Sequence, residues 1–246
     1  NDKILLVSSV SFDLSVYDIF GGLAAGAIIR IANRTELEDP ETLAEIIVNE
    51  GITFWDSAPA MLQQVFPFLE NNRGQIIEKG KLRLSFSSGD WIPLTMPTQM
   101  KSLFKDYQFI ALGGATEATI WSNFFEVDEV DPLWNSIPYG KPIQNAKYLV
   151  LDKGRKLCPI GVPGDLYIGG QCLANGYIND KELSDAKFIN SPFYEGEMLY
   201  DTGDMARWFP DGNIEFLGRK DSQVKIRGYR IELGEIESKL LEHESI

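Results

Sequence analysis

The sequence has 246 residues, 44% of them apolar, and 23 basic against 36 acidic side chains give a formal net charge of -13. That length and apolar share suffice for a sizeable core in one or two domains, while so acidic a surface repels phosphate backbones and argues against general nucleic-acid binding. No apolar run approaches the ~20 residues that cross a bilayer, Asn1-Asp2-Lys3-Ile4 makes no signal peptide, and Cys158 and Cys172 make neither a CxxC pair nor a disulfide framework, so a cytoplasmic protein without membrane partners is expected.

In chain order, Ile4–Val7 reads as a buried strand and Leu14–Ala25 as an apolar helix weakened by Gly21 and Gly22. Ala27–Ala32 is the next strand. Pro40-Glu41-Thr42-Leu43 opens a helix with proline and acid in its first turn; Leu43, Ile46 and Ile47 then give one helical face. Ile52–Trp55 reads as strand, Met61–Leu69 as helix, Leu82–Phe86 as strand, Pro97–Phe104 as helix and Tyr107–Ala111 as strand. This alternation predicts a mostly parallel sheet covered by helices. From Lys147 to Leu217 short β-rich runs are punctuated by turns such as Pro210-Asp211-Gly212-Asn213, which predicts a small antiparallel barrel. Beyond Arg219 the chain is charged, then amphipathic from Leu233 to Leu241. The sequence starts without Met and the last helix meets the chain end, so a segment of a longer protein is expected. The lone His243 gives a histidine triad or metal cluster little to build on.

Four short segments carry candidate chemistry. Asp13, at a strand-to-helix junction, reads locally as a helix cap. Gly113-Gly114-Ala115-Thr116-Glu117 follows a strand, and such a turn exposes N–H groups able to hold phosphate, with a Thr donor and a Glu able to bind Mg2+; an ordinary βα turn explains the spacing equally well. Tyr200-Asp201-Thr202-Gly203-Asp204 reads as a polar turn, or as a carboxylate for a vicinal diol such as a ribose. Gly218–Arg230 packs cations around Val224 and Ile226, as in a solvated edge strand or a strand facing polyphosphate or phosphopantetheine.

Taken together and in order, these segments resemble the adenylation domains of nonribosomal peptide synthetases. Ser11–Ser15 is similar to the segment that anchors the amino acid, and Gly113–Glu117 to the nucleotide loop. Gly164–Gly170 through Ala174-Asn175-Gly176-Tyr177 is similar to a structural hairpin, and Tyr200–Asp204 to the Tyr-x-Thr-Gly-Asp turn. Gly218–Arg230 with Ile231–Glu237 is similar to the hinge and the start of a mobile lid. The resemblance implies an α/β adenylate-forming enzyme fold, incomplete here. It would comprise an αβα layered subdomain (1–145), a small β-barrel subdomain (146–219) and the hinge with the start of the lid (220–246).

It also implies the chemistry: an amino-acid carboxylate attacks the α-phosphate of ATP, pyrophosphate leaves, and the aminoacyl group passes to the phosphopantetheine thiol of a peptidyl carrier protein beside other synthetase domains. Thr116 and Glu117 are then the implied catalytic residues, Thr116 bonding the AMP phosphate and Glu117 holding Mg2+. Asp13 would pair with the substrate ammonium. Gly113, Gly114, Ala115, Thr116, Asp204 and Arg219 would bind the nucleotide, with Asp204 on the ribose, and Asp221 would be the hinge. The pocket positions that match are Asp13, Leu14, Tyr17, Asp56, Phe86, Ser88, Leu112, Ile120 and Trp121. This set resembles cysteine-activating pockets, with glycine, serine and alanine as alternatives.

Some positions depart from the family pattern. Gly113 stands where an aromatic usually stacks on adenine, Asn175 where Arg is usual, and Asp201 where Lys or Arg is usual. Asp56 stands where the cysteine pockets carry Asn; it would accept from a polar side chain, or sit protonated if desolvated. The upstream Lys-containing phosphate loop and the C-terminal lid lysine are not among these residues, so weak catalysis by this segment alone is expected. Two rival readings are an acyl or aryl-acid CoA ligase, which Asp13 argues against, and a non-catalytic binding module.

Overall fold

The computed structural model describes residues 2–221, 223–226 and 229–241. Ser222, Arg227 and Gly228 of the cationic segment, and His243, lie outside the described residues. The chain forms two compact units, Asn1–Leu112 with Phe125–Ile137 and Gly113–Phe124 with Pro138–Ile246.

The first unit is built on parallel strands β1 (Lys3–Leu6), β2 (Ile28–Ile31), β3 (Phe54–Ser57), β4 (Leu84–Ser87) and β5 (Gln108–Gly113), in the order β2-β1-β3-β4-β5. The register sets Leu5, Trp55, Ser85 and Phe109 side by side, and Ile4 beside Phe54 and Asp56 beside Phe86 on the opposite face. On the first face, helices Pro40–Asn49, Pro59–Asn71, Arg73–Lys79 and Thr95–Leu103 supply Leu43, Ile47, Leu62, Val65, Ile76 and Met100 to one core with Trp55 and Phe109. Burying each such side chain stabilises by about 1.5–3 kcal/mol. Asp39 caps the helix Pro40–Asn49 through the N–H of Glu41, as the Pro-Glu opening predicts.

On the second face lies the helical segment 14–24, whose middle turn, Tyr17–Gly21, is π-helical. Gly22 does not break it, because the glycine gives close approach: a Cβ there would lie 2.6 Å from Ile4 Cδ1. The cap expected of Asp13 does not form. Its backbone is already helical (φ -62, ψ -24), whereas an N-cap needs an extended conformation to turn its oxygen onto the first turn.

The second unit opens with the end of β5 and the start of β6 (Asn123–Glu126), which pairs antiparallel with β7 (Lys141–Pro142). Strands β8 (Ala146–Leu151), β9 (Gly164–Gly170), β10 (Phe188–Asn190), β11 (Met198–Trp208) and β12 (Ile214–Arg219) follow in an antiparallel sheet of order β10-β11-β9-β8, with β12 on β11. Tyr148, Val150, Leu166, Ile168, Ala206 and Ile214 form its core. The Pro-Asp-Gly-Asn turn joins β11 to β12 as expected, with Gly212 at φ 80. The hairpin β13 (Val224–Ile226) and β14 (Tyr229–Ile231) and the helix Leu233–Leu241 end the described chain. No described helix is long and apolar enough to cross a membrane.

The segment Tyr200–Asp204 is not a turn between strands, as its composition suggests. It lies inside the eleven-residue β11, where the register against β9 shifts between Asp201 and Met205. Gly203 at φ 75 takes the positive-φ position of this bulge, and bulges re-aim side chains.

Candidate functional site

The two units carry separate parts of the predicted site. In the first, parallel pairing brings Phe54, Asp56 and Phe86 onto the face covered by segment 14–24. The rings of Tyr17, Phe54 and Phe86 pack mutually, at centroid distances of 6.3 Å (Tyr17–Phe54), 5.5 Å (Tyr17–Phe86) and 4.9 Å (Phe54–Phe86). Leu14 is buried, and Ser88 follows β4 with its N–H on the Ser57 carbonyl. Leu112 lies near the carboxyl end of β5, on the face of Ile110 and Phe86. Ligands of parallel α/β sheets bind beyond those strand ends.

Asp56 is completely buried, and so is Asp18 at the second position of the π turn. Each carboxyl acts on the other, and none of the four oxygens has a hydrogen-bond donor among the described residues. Burial pushes the Asp18 carboxyl up to about 7. Burial first, then the charges of Asp18 and Asp13, holds the Asp56 carboxyl well above the usual carboxylate range. Burial and the same two neighbours, Asp56 and Asp18, also raise the Tyr17 phenol. Sequence reasoning singled out Asp56 and missed Asp18, whose helical spacing carries no sign of the strand it meets.

In the second unit the Gly-Gly-Ala-Thr-Glu loop is tightly fitted. A Cβ on Gly113 would sit 2.1 Å from Tyr139 Cε2 and 2.8 Å from Asn123 Nδ2, so the ring of Tyr139 fills the space of any side chain at 113. The Gly114 N–H donates to the Tyr139 hydroxyl at 3.0 Å, and that ring stacks on Phe216 at 5.7 Å. Burial raises the phenols of Tyr139 and Tyr148, and the charge of Asp204 adds to both. Tyr139 was missed in the sequence; a lone aromatic between Pro138 and Gly140 carries no local signal. Thr116–Ala118 forms a single 3-10 turn, and Thr119 and Ile120 follow at φ 59 and φ 66. A β-branched residue in the left-handed region is strained, and such strain gathers at functional sites. Ile120 and Trp121 thus belong to this unit rather than to the one carrying the other pocket positions.

Glu117 is 7% exposed and accepts from the Tyr177 hydroxyl at 2.7 Å; Tyr200 adjoins the pair, its phenol raised by burial and by the Glu117 charge. Among the described residues no group of three or more His, Cys, Asp or Glu is placed to hold a metal ion. A Mg2+ ion there would therefore be held by Glu117 together with phosphate oxygens, a set that suits Mg2+, which keeps few protein carboxylates.

Asp204, 8% exposed, accepts from Arg219 Nη1 at 2.7 Å. The same guanidinium grips Asp221 at 2.7 and 2.6 Å and holds that carboxyl below its usual range. The predicted ribose acid and hinge acid thus share one arginine. Gly203 makes this close approach feasible: a Cβ would lie 2.7 Å from both Arg219 Nη2 and Asp221 Oδ2.

Against known proteins, the family model described as "AMP-binding enzyme" matches residues 1–178. Bacitracin synthase 1 of Bacillus licheniformis is 48% identical over 100% of the chain, which spans 4% of that protein. Pyochelin synthetase PchE of Pseudomonas aeruginosa is 43% identical over 97% of the chain, which spans 16% of it. The crystal structure of the nonribosomal peptide synthetase FmoA3 in its AMPPNP-bound form superposes with a TM-score of 0.83 at 40% identity, over 89% of this chain and 23% of that one.

Proposed function

The chain belongs to the AMP-binding enzyme family, as part of an adenylate-forming domain of the nonribosomal peptide synthetase type, and we propose that it serves to activate an amino acid as its aminoacyl-AMP, for transfer to a carrier-protein phosphopantetheine. The observation that carries the amino-acid reading is the setting of Asp13. It directly precedes the helical segment in which Leu14 is buried and Tyr17 packs on Phe54 and Phe86. An anion at the rim of an apolar face suits a substrate ammonium, with a charge-assisted hydrogen bond, and gives nothing to an acyl or aryl acid lacking one.

In the second unit, Thr116 would bond the α-phosphate and Glu117, oriented by Tyr177, would hold Mg2+. Asp204, fixed by Arg219, would accept from the ribose hydroxyls. The ion would supply charge neutralisation at the phosphates. The side chains position the carboxylate and nucleotide, and positioning and charge stabilisation make up most of the catalysis such a reaction needs. Residues 220–246 would begin a lid hinged at Asp221 between the two half-reactions.

For the side chain we propose a short, weakly polar substrate, cysteine before glycine, serine or alanine, since the matched positions in the first unit, Leu14, Tyr17, Phe86 and Leu112, are aromatic or aliphatic and carry one hydroxyl partner, Ser88. ATP–pyrophosphate exchange by the intact domain against an amino-acid panel tests this: cysteine above glycine and alanine is expected, and equal signals would refute it. Exchange by the present segment alone is expected to be weak, and robust turnover would refute that.

A further inference from the structure

We propose that Asp18 and Asp56 share one proton as an acid pair that fixes the turn bearing Asp13, Leu14 and Tyr17 onto strand β3, so that ligand binding on this face weakens when the proton is lost. The binding half of this proposal rests on the amino-acid reading above; the pair itself does not.

Both side chains are fully buried, and all four carboxyl oxygens lack a donor from any other described group. Two carboxylates in contact inside an apolar enclosure do not both ionise, because desolvation and like-charge repulsion act in the same direction. One retained proton converts the clash into a strong O–H···O hydrogen bond. The groups acting on the pair offer no alternative compensation. From its own helix come Asp13, a further anion, and Tyr17, a phenol whose own ionisation is suppressed by the two acids. The strands contribute Phe54 and Phe86. Among the described residues no cation acts on either acid.

The placement gives the proton a structural role. Asp18 directly follows Tyr17 in the π turn. Asp56 sits beside Phe86 in the sheet, against which the Tyr17 ring packs. Loss of the proton puts two negative charges at the joint between helix and sheet and drives the Tyr17 turn away from Phe86. Asp18 and Asp56, both fully buried, are positioning residues in this scheme. Asparagine at 56 would donate an N–H to Asp18 with no proton needed, which makes Asp56→Asn the informative variant.

The experiment uses the whole 246-residue chain. Infrared spectra at about pH 5 and about pH 7, above the range where ordinary carboxyls ionise, should show a protonated-carboxyl carbonyl band persisting at the higher pH in the wild type and lost in D56N. Absence of the band from the wild type at about pH 7 overturns the pair without reliance on any variant's folding. Thermal unfolding followed across the same range should fall with pH in the wild type and fall less in D56N; parallel curves overturn the positioning role. Amino-acid affinity, by calorimetry, should weaken toward tenfold per pH unit once the pair has titrated, because the competent fraction falls by that factor, and should lose this dependence in D56N. A band and a stability difference without amino-acid binding at any pH would support the pair and sink the pocket reading instead.

Discussion

The two units compensate carboxylates in opposite ways. In the second unit buried Asp204 and the more exposed Asp221 are gripped by Arg219, and the partly exposed Asp165 and Asp201 neighbour Lys220 at 3.1 and 3.3 Å. Arg219 holds the Asp221 carboxyl below its usual range. In the first unit Asp18 and Asp56 meet each other with no cation, and the cheapest compensation is a proton. On the proposal above, the pair in the first unit responds to pH near neutrality. The same side chain therefore does different work according to whether a guanidinium or a second carboxyl is packed against it.

This contrast can be broken most forcefully at Arg219. Arg219→Ala removes the cation that pairs with buried Asp204 and should destabilise by about 3 kcal/mol or more, read by urea unfolding, with AMP affinity falling alongside. Next in size is the fit around the loop. Gly113→Ala drives a methyl into the Tyr139 ring and should cost about 1–3 kcal/mol. A double-mutant cycle with Tyr139→Ala should show strong non-additivity, since removing the ring removes the clash.

Asp56→Asn should act only on the first unit and with a definite sign. The folded-state acids are raised, so the stability they favour is full below the unfolded carboxyl value and is lost as pH rises through about 7, the position of Asp18. Relative to wild type, the variant should be more stable by about 1–2 kcal/mol at mildly alkaline pH and near parity in acid, about 1.4 kcal/mol per pH unit of differential titration being the bound. The smallest effect belongs to Lys220→Ala. Its side chain is 34% exposed and its pairs are solvent-screened, so a change below about 1 kcal/mol is expected in the same unfolding assay. A Lys220 effect rivalling that of Arg219 would collapse the distinction between a gripped and a merely neighbouring cation.

The fold was legible where hydrophobic pattern and structure share a period. Leu233–Leu241 has the predicted bounds, and β1, β2 and β5 fall within about two residues of their predicted positions. Polar helices Arg34–Leu37, Arg73–Lys79 and Lys181–Lys187 went unseen, since they present few apolar residues to count. Strand β3 begins at Phe54 and ends at Ser57, two residues beyond the β-branched Ile52–Trp55 reading, because pairing with β1 and β4 rather than propensity sets its ends.

At the site, ordered motifs identified the residue types but not their surroundings. Asp13 was legible as an acid at a helix start, yet its helical backbone, which rules out a cap, was not. Asp204 was singled out only through the family resemblance, and its position in a bulge inside β11, paired with Arg219, was not legible.

By itself, the sequence determined the alternation of strands and helices, the change to an antiparallel sheet, the motif order and hence the family. These are properties of neighbours in the chain, and chain neighbours are what a sequence records. Tertiary structure alone decided that Asp56 meets Asp18, that Tyr139 fills the room left at Gly113, and that one arginine serves both Asp204 and Asp221. Each depends on sheet register and helix placement, where a one-residue shift turns a side chain to the opposite face, and no local pattern encodes which distant group will then be packed against it.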